Sequence, residues 1–135
     1  MKPATIESAN RIGMLQTLGI TLTEIGDDYA VMEVTVDARH SNYFGGGHGG
    51  LLATLADTVC FFPKPLLPAG RLVTTVNLNV NYLKAAKMGD HLTARSHLVH
   101  LGKRTASLTV RITDGRDRLL VHGTATLAVL KQPEA

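Results

Sequence analysis

One carboxylate stands out among the residues of this chain that could do chemistry. Asp57 is the only residue charged at neutral pH between His48 and Lys64, and its neighbours are apolar or small. Burial strips a carboxylate of its solvation, which is costly unless hydrogen bonds replace the lost water. Such a group could serve as a general base or as a nucleophile. It could equally be a structural residue bonded to a nearby strand or loop, and the segment alone leaves both readings open.

A glycine-rich run around His48, residues 46–50, is the second candidate. It precedes an apolar, helix-like segment, so its backbone amides would lie at the positive end of a helix without bulky side chains over them. Amides in that setting suit the polarisation of a carbonyl or the stabilisation of an oxyanion. A flexible loop that simply leads into the helix is the alternative interpretation.

The spacing of the two candidates constrains how they could act together. Gly49 and Asp57 are eight residues apart, which is about 12 Å along a helix axis. One scissile carbonyl cannot contact both groups at that separation. If both serve one reaction, the amide comes from one subunit and the acid from an antiparallel copy of the helix. This hypothesis makes catalysis depend on a dimer.

A helix over residues 48–62 must position these groups. Its apolar stripe consists of Leu51, Leu52, Leu55, Val59 and Phe62. Pro63 and Pro65 are expected to end it. The opposite side carries mainly small residues, namely Gly50, Ala53, Thr54, Asp57, Cys60 and Phe61. We therefore expect the helix to be buried on all sides. A sheet would cover the apolar stripe, and a second copy of the chain would cover the face of small residues.

The rest of the chain indicates an α+β fold in one domain, residues 1–135. We predict one short helix over residues 4–18 and a hairpin over 19–37 that turns at 26–28. Alternation of apolar residues places Ala30, Met32, Val34 and Val36 on one face of the second strand. Four consecutive strands are expected to follow the central helix as an antiparallel meander, at residues 72–83, 91–101, 105–113 and 119–130.

Composition excludes several classes of protein. A chain of 135 residues with 44% hydrophobic and 19% charged residues is typical of a single globular domain without a membrane span. The formal charge of +3 is small and its basic residues are scattered, which argues against a nucleic-acid partner. The single cysteine, Cys60, cannot form an intrachain disulfide, and no apolar leader follows Met1. We therefore expect a cytoplasmic protein.

Histidine and cysteine chemistry is less favoured by the pattern. Six histidines are present, but His97 and His100 are expected on opposite faces of a strand, and no two histidines are spaced four apart on the helix. We predict no metal site. Cys60 follows Asp57 by one helical turn, yet no histidine on that helix could activate it, so we expect a buried, inert thiol.

Three segments together resemble a known family. The first is H-S-N-Y-F-G-G-G-H-G-G at residues 40–50 followed by L-A-D at 55–57, with Asn42 six residues before His48 and Asp57 nine after it. The second is T-T-V-N-L-N-V-N-Y-L at 74–83 running into M-G-D at 88–90, and the third is L-G-K-R at 101–104. The chain resembles the phenylacetate-degradation (PaaI-type) branch of the hotdog-fold thioesterase superfamily.

The resemblance implies a fold, an assembly and a reaction. The fold is an antiparallel sheet of five or six strands curled around the central helix. Two such units share one continuous sheet as a dimer, often assembled further into a tetramer. The reaction is hydrolysis of acyl- or aryl-CoA thioesters without a metal or an organic cofactor.

The resemblance also assigns roles to residues. Asp57 matches the catalytic acid, as general base toward water or as a nucleophile that forms an anhydride, and Gly49 matches the amide that polarises the thioester carbonyl. Asn42 and His48 match nearby polar residues, and Thr75 matches a hydroxyl that orients the water or the carboxylate. The expected substrate-binding residues are Gly50, Phe61, Phe62, Gly102, Lys103 and Arg104.

Two parts of the chain depart from the family pattern or admit another interpretation. The apolar, proline-rich segment 61–68 is unusual, and we expect it to line or cap the acyl pocket. Lys103 and Arg104 match residues that hold the phosphates of CoA, although basic residues beside a turn are often only solvated. Beside the thioesterase, two alternatives remain: a hotdog dehydratase or hydratase, and a noncatalytic acyl-CoA binding domain.

Overall fold

The computed structural model describes residues 4–133, and in it six antiparallel strands form one sheet around a central helix. The strand order is β1-β2-β4-β5-β6-β3. The few residues of the predicted domain at either end, 1–3 and 134–135, lie outside the described part. No helix within residues 4–133 is both long and apolar enough to span a membrane. The elements are α1 Ile6–Ala9, α2 Gly13–Leu18, β1 Thr21–Ile25, β2 Tyr29–Thr35, α3 Gly49–Val59, β3 Leu72–Tyr82, β4 His91–Leu101, β5 Thr105–Thr113 and β6 Leu119–Lys131.

The N-terminal segment corrects the prediction of one short helix, because it contains two. Asn10 is the C-cap of α1, and its side chain bonds to the backbone of β1. Its Nδ2 donates to Leu22 O at 3.0 Å, and its Oδ1 accepts the Leu22 N–H at 2.7 Å. Ile12 is extended, with ψ 126°, and α2 starts after it. The break ties both short helices to the edge of the sheet.

The strands that follow the central helix correct a second prediction. Only β4, β5 and β6 form a meander, whereas β3 pairs with β6 from Leu72↔Lys131 to Tyr82↔Val121 and β4 pairs with β2. The reason is the connection between β3 and β4, residues 83–90, because hairpin loops have only about two to five residues. This longer connection carries the chain across to the other half of the sheet. Consequently β3 is an edge strand, and within residues 4–133 no strand pairs with its outer side.

The central helix packs as the apolar stripe predicts, but it is shorter than expected. Helix α3 ends at Val59 rather than at Phe62, and Cys60 caps it. Its inner face is buried against the sheet through Leu51, Leu52, Leu55, Ala56 and Val59. The second strand likewise buries Ala30, Met32 and Val34 of the predicted face, and Val36, directly after the strand, is buried as well.

The other face of α3 remains open in a single chain, so the expected burial on all sides is not met by the chain alone. Ala53, Thr54, Asp57 and Thr58 are only half-buried, and Gly50 is exposed. Small side chains on an uncovered helix face leave room for close packing of another backbone or a ligand. This α+β arrangement of an antiparallel sheet around one helix is the predicted hotdog fold.

Candidate active site

Asp57 lies half-buried on the open face of α3 and faces the edge strand. Thr75, near the start of β3, donates its hydroxyl to Asp57 Oδ1 at 2.7 Å. No other donor among the described residues bonds to this carboxylate, so Oδ2 is available to a water or a substrate. Asp57 and Thr75, predicted from separate motifs, therefore form one hydrogen-bonded pair.

The backbone amides in the first turn of α3 differ in whether they have a hydrogen-bond acceptor. His48 caps the helix by accepting the Gly50 N–H on Nδ1 at 2.7 Å, and the Leu51 N–H donates to His48 O. No acceptor within residues 4–133 takes the Gly49 N–H. Because Nδ1 accepts, the neutral His48 ring carries its proton on Nε2. The amide of Gly49 is therefore available at the positive helix end, whereas that of Gly50 is already used.

Asn42 shapes the loop that leads into α3. Its Oδ1 accepts the N–H groups of Phe44 and Gly46 at 2.8 and 2.9 Å, and its Nδ2 donates to Gly47 O at 3.3 Å. Gly45 has φ 82°, a left-handed conformation that favours glycine. The amide group of Asn42 is thus engaged with its own loop, which positions His48 and Gly49.

Both ends of α3 are attached to the edge strand. Beside the Asp57–Thr75 bond at the C-terminal end, Tyr82 donates its hydroxyl to Gly49 O at 2.9 Å at the N-terminal end. The helix therefore runs antiparallel to β3. Since Gly49 and Asp57 lie on one uninterrupted α-helix, their separation of about 12 Å along the axis stands.

An apolar pocket lies near the acid, although neither Asp57 nor Thr75 is part of its wall. It has a volume of about 350 Å³, and its wall includes Thr58, which follows Asp57 directly, and Val73, which precedes Thr75 by two residues on the same face of β3. A volume near the lower end of ligand-pocket sizes, which run from about 300 to 1,000 Å³, suits a small group. The remaining apolar wall comes mainly from the segment after the helix, including Phe61, Phe62, Leu66 and Leu67. Phe61 and Phe62 are thus both in the pocket wall.

The basic turn between β4 and β5 lies at the same end of the sheet as this pocket. Ala128 of β6 pairs with Thr105 on one side and with Thr74 on the other. Two strand spacings, about 10 Å, therefore separate the start of β5 from Thr74. Gly102, Lys103 and Arg104 immediately precede Thr105, and both basic residues are exposed. The turn is within reach of an extended ligand that leaves the pocket.

The histidines of β4 are arranged differently from the prediction. A β-bulge between Leu98 and His100 shifts the register, so that His97 pairs with Thr109 and His100 with Ser107. Both histidines are consequently on the outer face of the sheet rather than on opposite faces. Even so, no cluster of three or more His, Cys, Asp or Glu side chains suited to a metal occurs in the described part of the chain.

Cys60 is expected to be unreactive in the folded protein. Burial, assisted by the negative charge of Asp57, raises the pKa of its thiol to about 12. Only about one thiol in 10⁴ is then ionised at pH 8, and the thiolate is the reactive form. An aromatic disulfide reagent should label the chain in denaturant but not under native conditions. Cys60→Ala should retain full activity, and a loss comparable to that of an Asp57 variant would reverse this conclusion.

Tyr82 and Arg71 are site residues that sequence reasoning missed. Tyr82 belongs to the quoted strand motif, yet nothing in its spacing predicts a bond to Gly49 O. Arg71 lies in the wall of the apolar pocket, just before β3. From sequence, a basic residue next to a proline-rich turn is expected to be exposed to solvent. Only the tertiary structure places Arg71 in the pocket wall.

Comparisons with known proteins identify the family of this chain. The profile of the Thioesterase superfamily matches residues 44–121. A 1,4-dihydroxy-2-naphthoyl-CoA hydrolase of Listeria monocytogenes is 30% identical over 123 residues, which cover 90% of this chain and 98% of that protein. The match spans α3, the edge strand and the basic turn.

Two solved structures extend the likeness to the fold. A hypothetical thioesterase of Streptococcus pneumoniae, crystallised with coenzyme A, superposes with a TM-score of 0.77 at 32% identity and covers 85% of this chain and 88% of that one. The PaaI protein of Escherichia coli, from the phenylacetic acid degradation operon, superposes with a TM-score of 0.75 at 25% identity, covering 84% of this chain and 86% of that one. The resemblance to PaaI-type proteins is thereby confirmed.

Proposed function

This chain belongs to the thioesterase superfamily, and we propose that it hydrolyses acyl-CoA or aryl-CoA thioesters at a site shared by two copies of the chain. One observation carries the proposal: the Asp57 carboxylate is held by Thr75 beside an apolar pocket, while the Gly49 amide at the other end of the same helix has no acceptor among residues 4–133. An acid and an unused oxyanion donor are the two parts that acyl transfer to water needs.

The reaction follows from these two groups. The thioester oxygen accepts the Gly49 N–H, which stabilises the negative charge that develops as the carbonyl carbon is attacked. In the general-base route, Asp57 removes a proton from water as its oxygen bonds to that carbon, and the C–S bond then breaks. In the nucleophilic route, Asp57 attacks first and water hydrolyses the resulting anhydride. Both routes end with a free carboxylic acid and the CoA thiol.

The edge strand supports the shared site. A strand of 11 residues with one side unpaired and apolar residues such as Val76 and Leu72 exposed at 60% and 48% is a template for another strand. Antiparallel pairing of two β3 strands about their middle would set the Thr75 end of one against the Tyr82 end of the other. The Asp57 carboxylate of one copy would then face the Gly49 amide of its partner. Further assembly to a tetramer is part of the proposal.

The remaining candidate residues take supporting roles. Asn42 and His48 act as positioning residues, because their side chains bond to the backbone that presents Gly49. Lys103 and Arg104, with Gly102 at the turn, would hold the phosphates of CoA, in keeping with the coenzyme A in the Streptococcus pneumoniae structure. The single cysteine, Cys60, is free and buried, which suits a reducing compartment. We therefore include a cytoplasmic location in the proposal.

Release of free thiol tests the function directly. The purified chain should release CoA thiol from at least one member of a panel of short, long and aromatic acyl-CoAs. Formation of a hydrated or dehydrated acyl-CoA without thiol would identify another hotdog enzyme. Thermal protection by an acyl-CoA with no turnover of any panel member would identify a noncatalytic binding domain.

Two substitutions of Thr75 distinguish the effect of its hydroxyl from the effect of its volume. Thr75→Val keeps the volume but removes the bond to Asp57 Oδ1, so kcat should fall by about 10- to 100-fold, the range for a hydrogen bond to a charged group. Thr75→Ser keeps the donor and should retain most of the activity. Steady-state kinetics should show the loss mainly in kcat, since the bond orients the reacting group rather than the acyl chain. Equal kcat values for Thr75→Val and the wild type would contradict this role.

A further inference from the structure

The pocket near Asp57 is apolar except for Thr58 and one cation. Arg71 lies in its wall together with residues such as Phe62, Leu67 and Val73. A guanidinium stays protonated in a protein, so the pocket carries a permanent positive charge. A purely hydrocarbon acyl group has no hydrogen-bond acceptor or negative charge to pair with the guanidinium. It would desolvate the cation without replacing the lost water.

The side chain of Arg71 lacks hydrogen-bond and ion-pair partners in the described part of the chain. Its Nε is buried and has no hydrogen-bond partner, which makes it the one such side-chain atom identified in the described part of the chain. No carboxylate of residues 4–133 forms an ion pair with Arg71. The residue as a whole is half-buried, so part of it remains accessible from the pocket. The guanidinium is thus partly enclosed in the pocket wall and has no carboxylate partner among residues 4–133.

The position of Arg71 fixes the part of a substrate that it could meet. It precedes Thr75 by four residues, which corresponds to about 13 Å along an extended strand. The arginine side chain itself spans part of that distance. A group in contact with its Nη atoms would therefore lie a short acyl chain away from a thioester carbonyl at Asp57.

We propose that Arg71 selects acyl groups that carry a carboxylate at the end remote from the thioester. The proposal rests on the thioesterase function and names its substrate class. A carboxylate complements the unpaired guanidinium in charge and in its planar, two-pronged geometry. The methylene groups between carboxylate and thioester match the apolar wall.

A pair of substrates of equal length tests this assignment. Glutaryl-CoA and pentanoyl-CoA have five acyl carbons each and differ only in the terminal carboxylate. The wild type should show a kcat/KM at least about tenfold higher for glutaryl-CoA, and Arg71→Met should lower that ratio by about 10- to 100-fold. Arg111→Met, which removes an exposed arginine of β5, should leave the ratio unchanged.

Each result has a defined meaning. A wild-type preference for pentanoyl-CoA, or no preference, overturns the assignment without any variant and leaves the thioesterase function intact. An equal loss for both substrates in Arg71→Met also overturns it, because the cation would then act on the CoA moiety. Hydrolysis of neither these nor any other acyl-CoA by the folded chain would reject the thioesterase function itself. Arg71→Lys keeps the charge and should retain part of the preference, which separates electrostatic selection from a folding defect.

Discussion

Asp57→Asn should lower kcat for thioester hydrolysis by about 10²- to 10⁴-fold, the typical contribution of a positioned general base. The amide keeps the size of the carboxylate and still accepts the Thr75 hydroxyl on its oxygen. It can neither take a proton from water nor attack a carbonyl carbon. A thiol-detecting assay with saturating acyl-CoA measures the loss. KM should change little, because Asp57 acts on the reacting atoms.

The control for this variant removes a carboxylate elsewhere. Asp117 is exposed in a turn and has φ 61°, a conformation that asparagine also tolerates. Asp117→Asn should leave kcat unchanged. Circular dichroism and thermal melting should show both variants folded. If folded Asp57→Asn retained wild-type kcat, Asp57 would be a structural residue and the proposed mechanism would be wrong.

Gly49→Pro should lower kcat by about 10²- to 10³-fold, as loss of an oxyanion donor does elsewhere. Proline removes the N–H and is favoured at the first position of a helix. His48 already has ψ 135°, the extended conformation that a residue before proline requires. The substitution therefore removes the donor with little disturbance of α3.

Gly49→Ala is the matched control, since alanine adds a Cβ but keeps the N–H. That Cβ would lie 3.4 Å from the Tyr82 ring, an ordinary contact. Kinetics of the two variants should therefore separate steric effects from loss of the donor. Similar activity of Gly49→Pro and the wild type would show that the amide takes no part in the reaction.

Combining the two inactive variants tests whether the site is shared. A dimer of one Asp57→Asn chain and one Gly49→Pro chain has one site with both changes and one site with neither. Random pairing after 1:1 co-expression should restore about a quarter of wild-type activity. If amide and acid instead belonged to the same chain, every site would carry one defect. The mixture would then stay as inactive as its components.

Local sequence patterns were sufficient to predict candidate reactive groups and most of the helices and strands. The lone charge of Asp57 and the glycines before it identify the candidate acid and amide, because burial of a charge and loss of side chains are visible residue by residue. Alternation at period two predicts β2 and the bounds of β4 and β5. The apolar stripe predicts the helix, although it predicts an end at Phe62 and the helix ends at Val59.

Pairing between remote segments was decided only by the tertiary structure. Periodicity assigns a face to each strand but not a neighbour, so the meander prediction put β3 beside β4 rather than at the edge beside β6. One inserted residue in β4 was enough to bring His97 and His100 to the same face.

Sequence by itself thus determined the candidate residues for the chemistry, since charge, size and donor type are properties of single side chains. Only the folded sheet decided what surrounds them: the Thr75 hydroxyl on Asp57, the Tyr82 hydroxyl on Gly49 O and the Arg71 guanidinium in the pocket wall. Each of these contacts joins segments whose approach depends on how the sheet closes around α3. That closure is a long-range property of the whole chain, which no local pattern encodes.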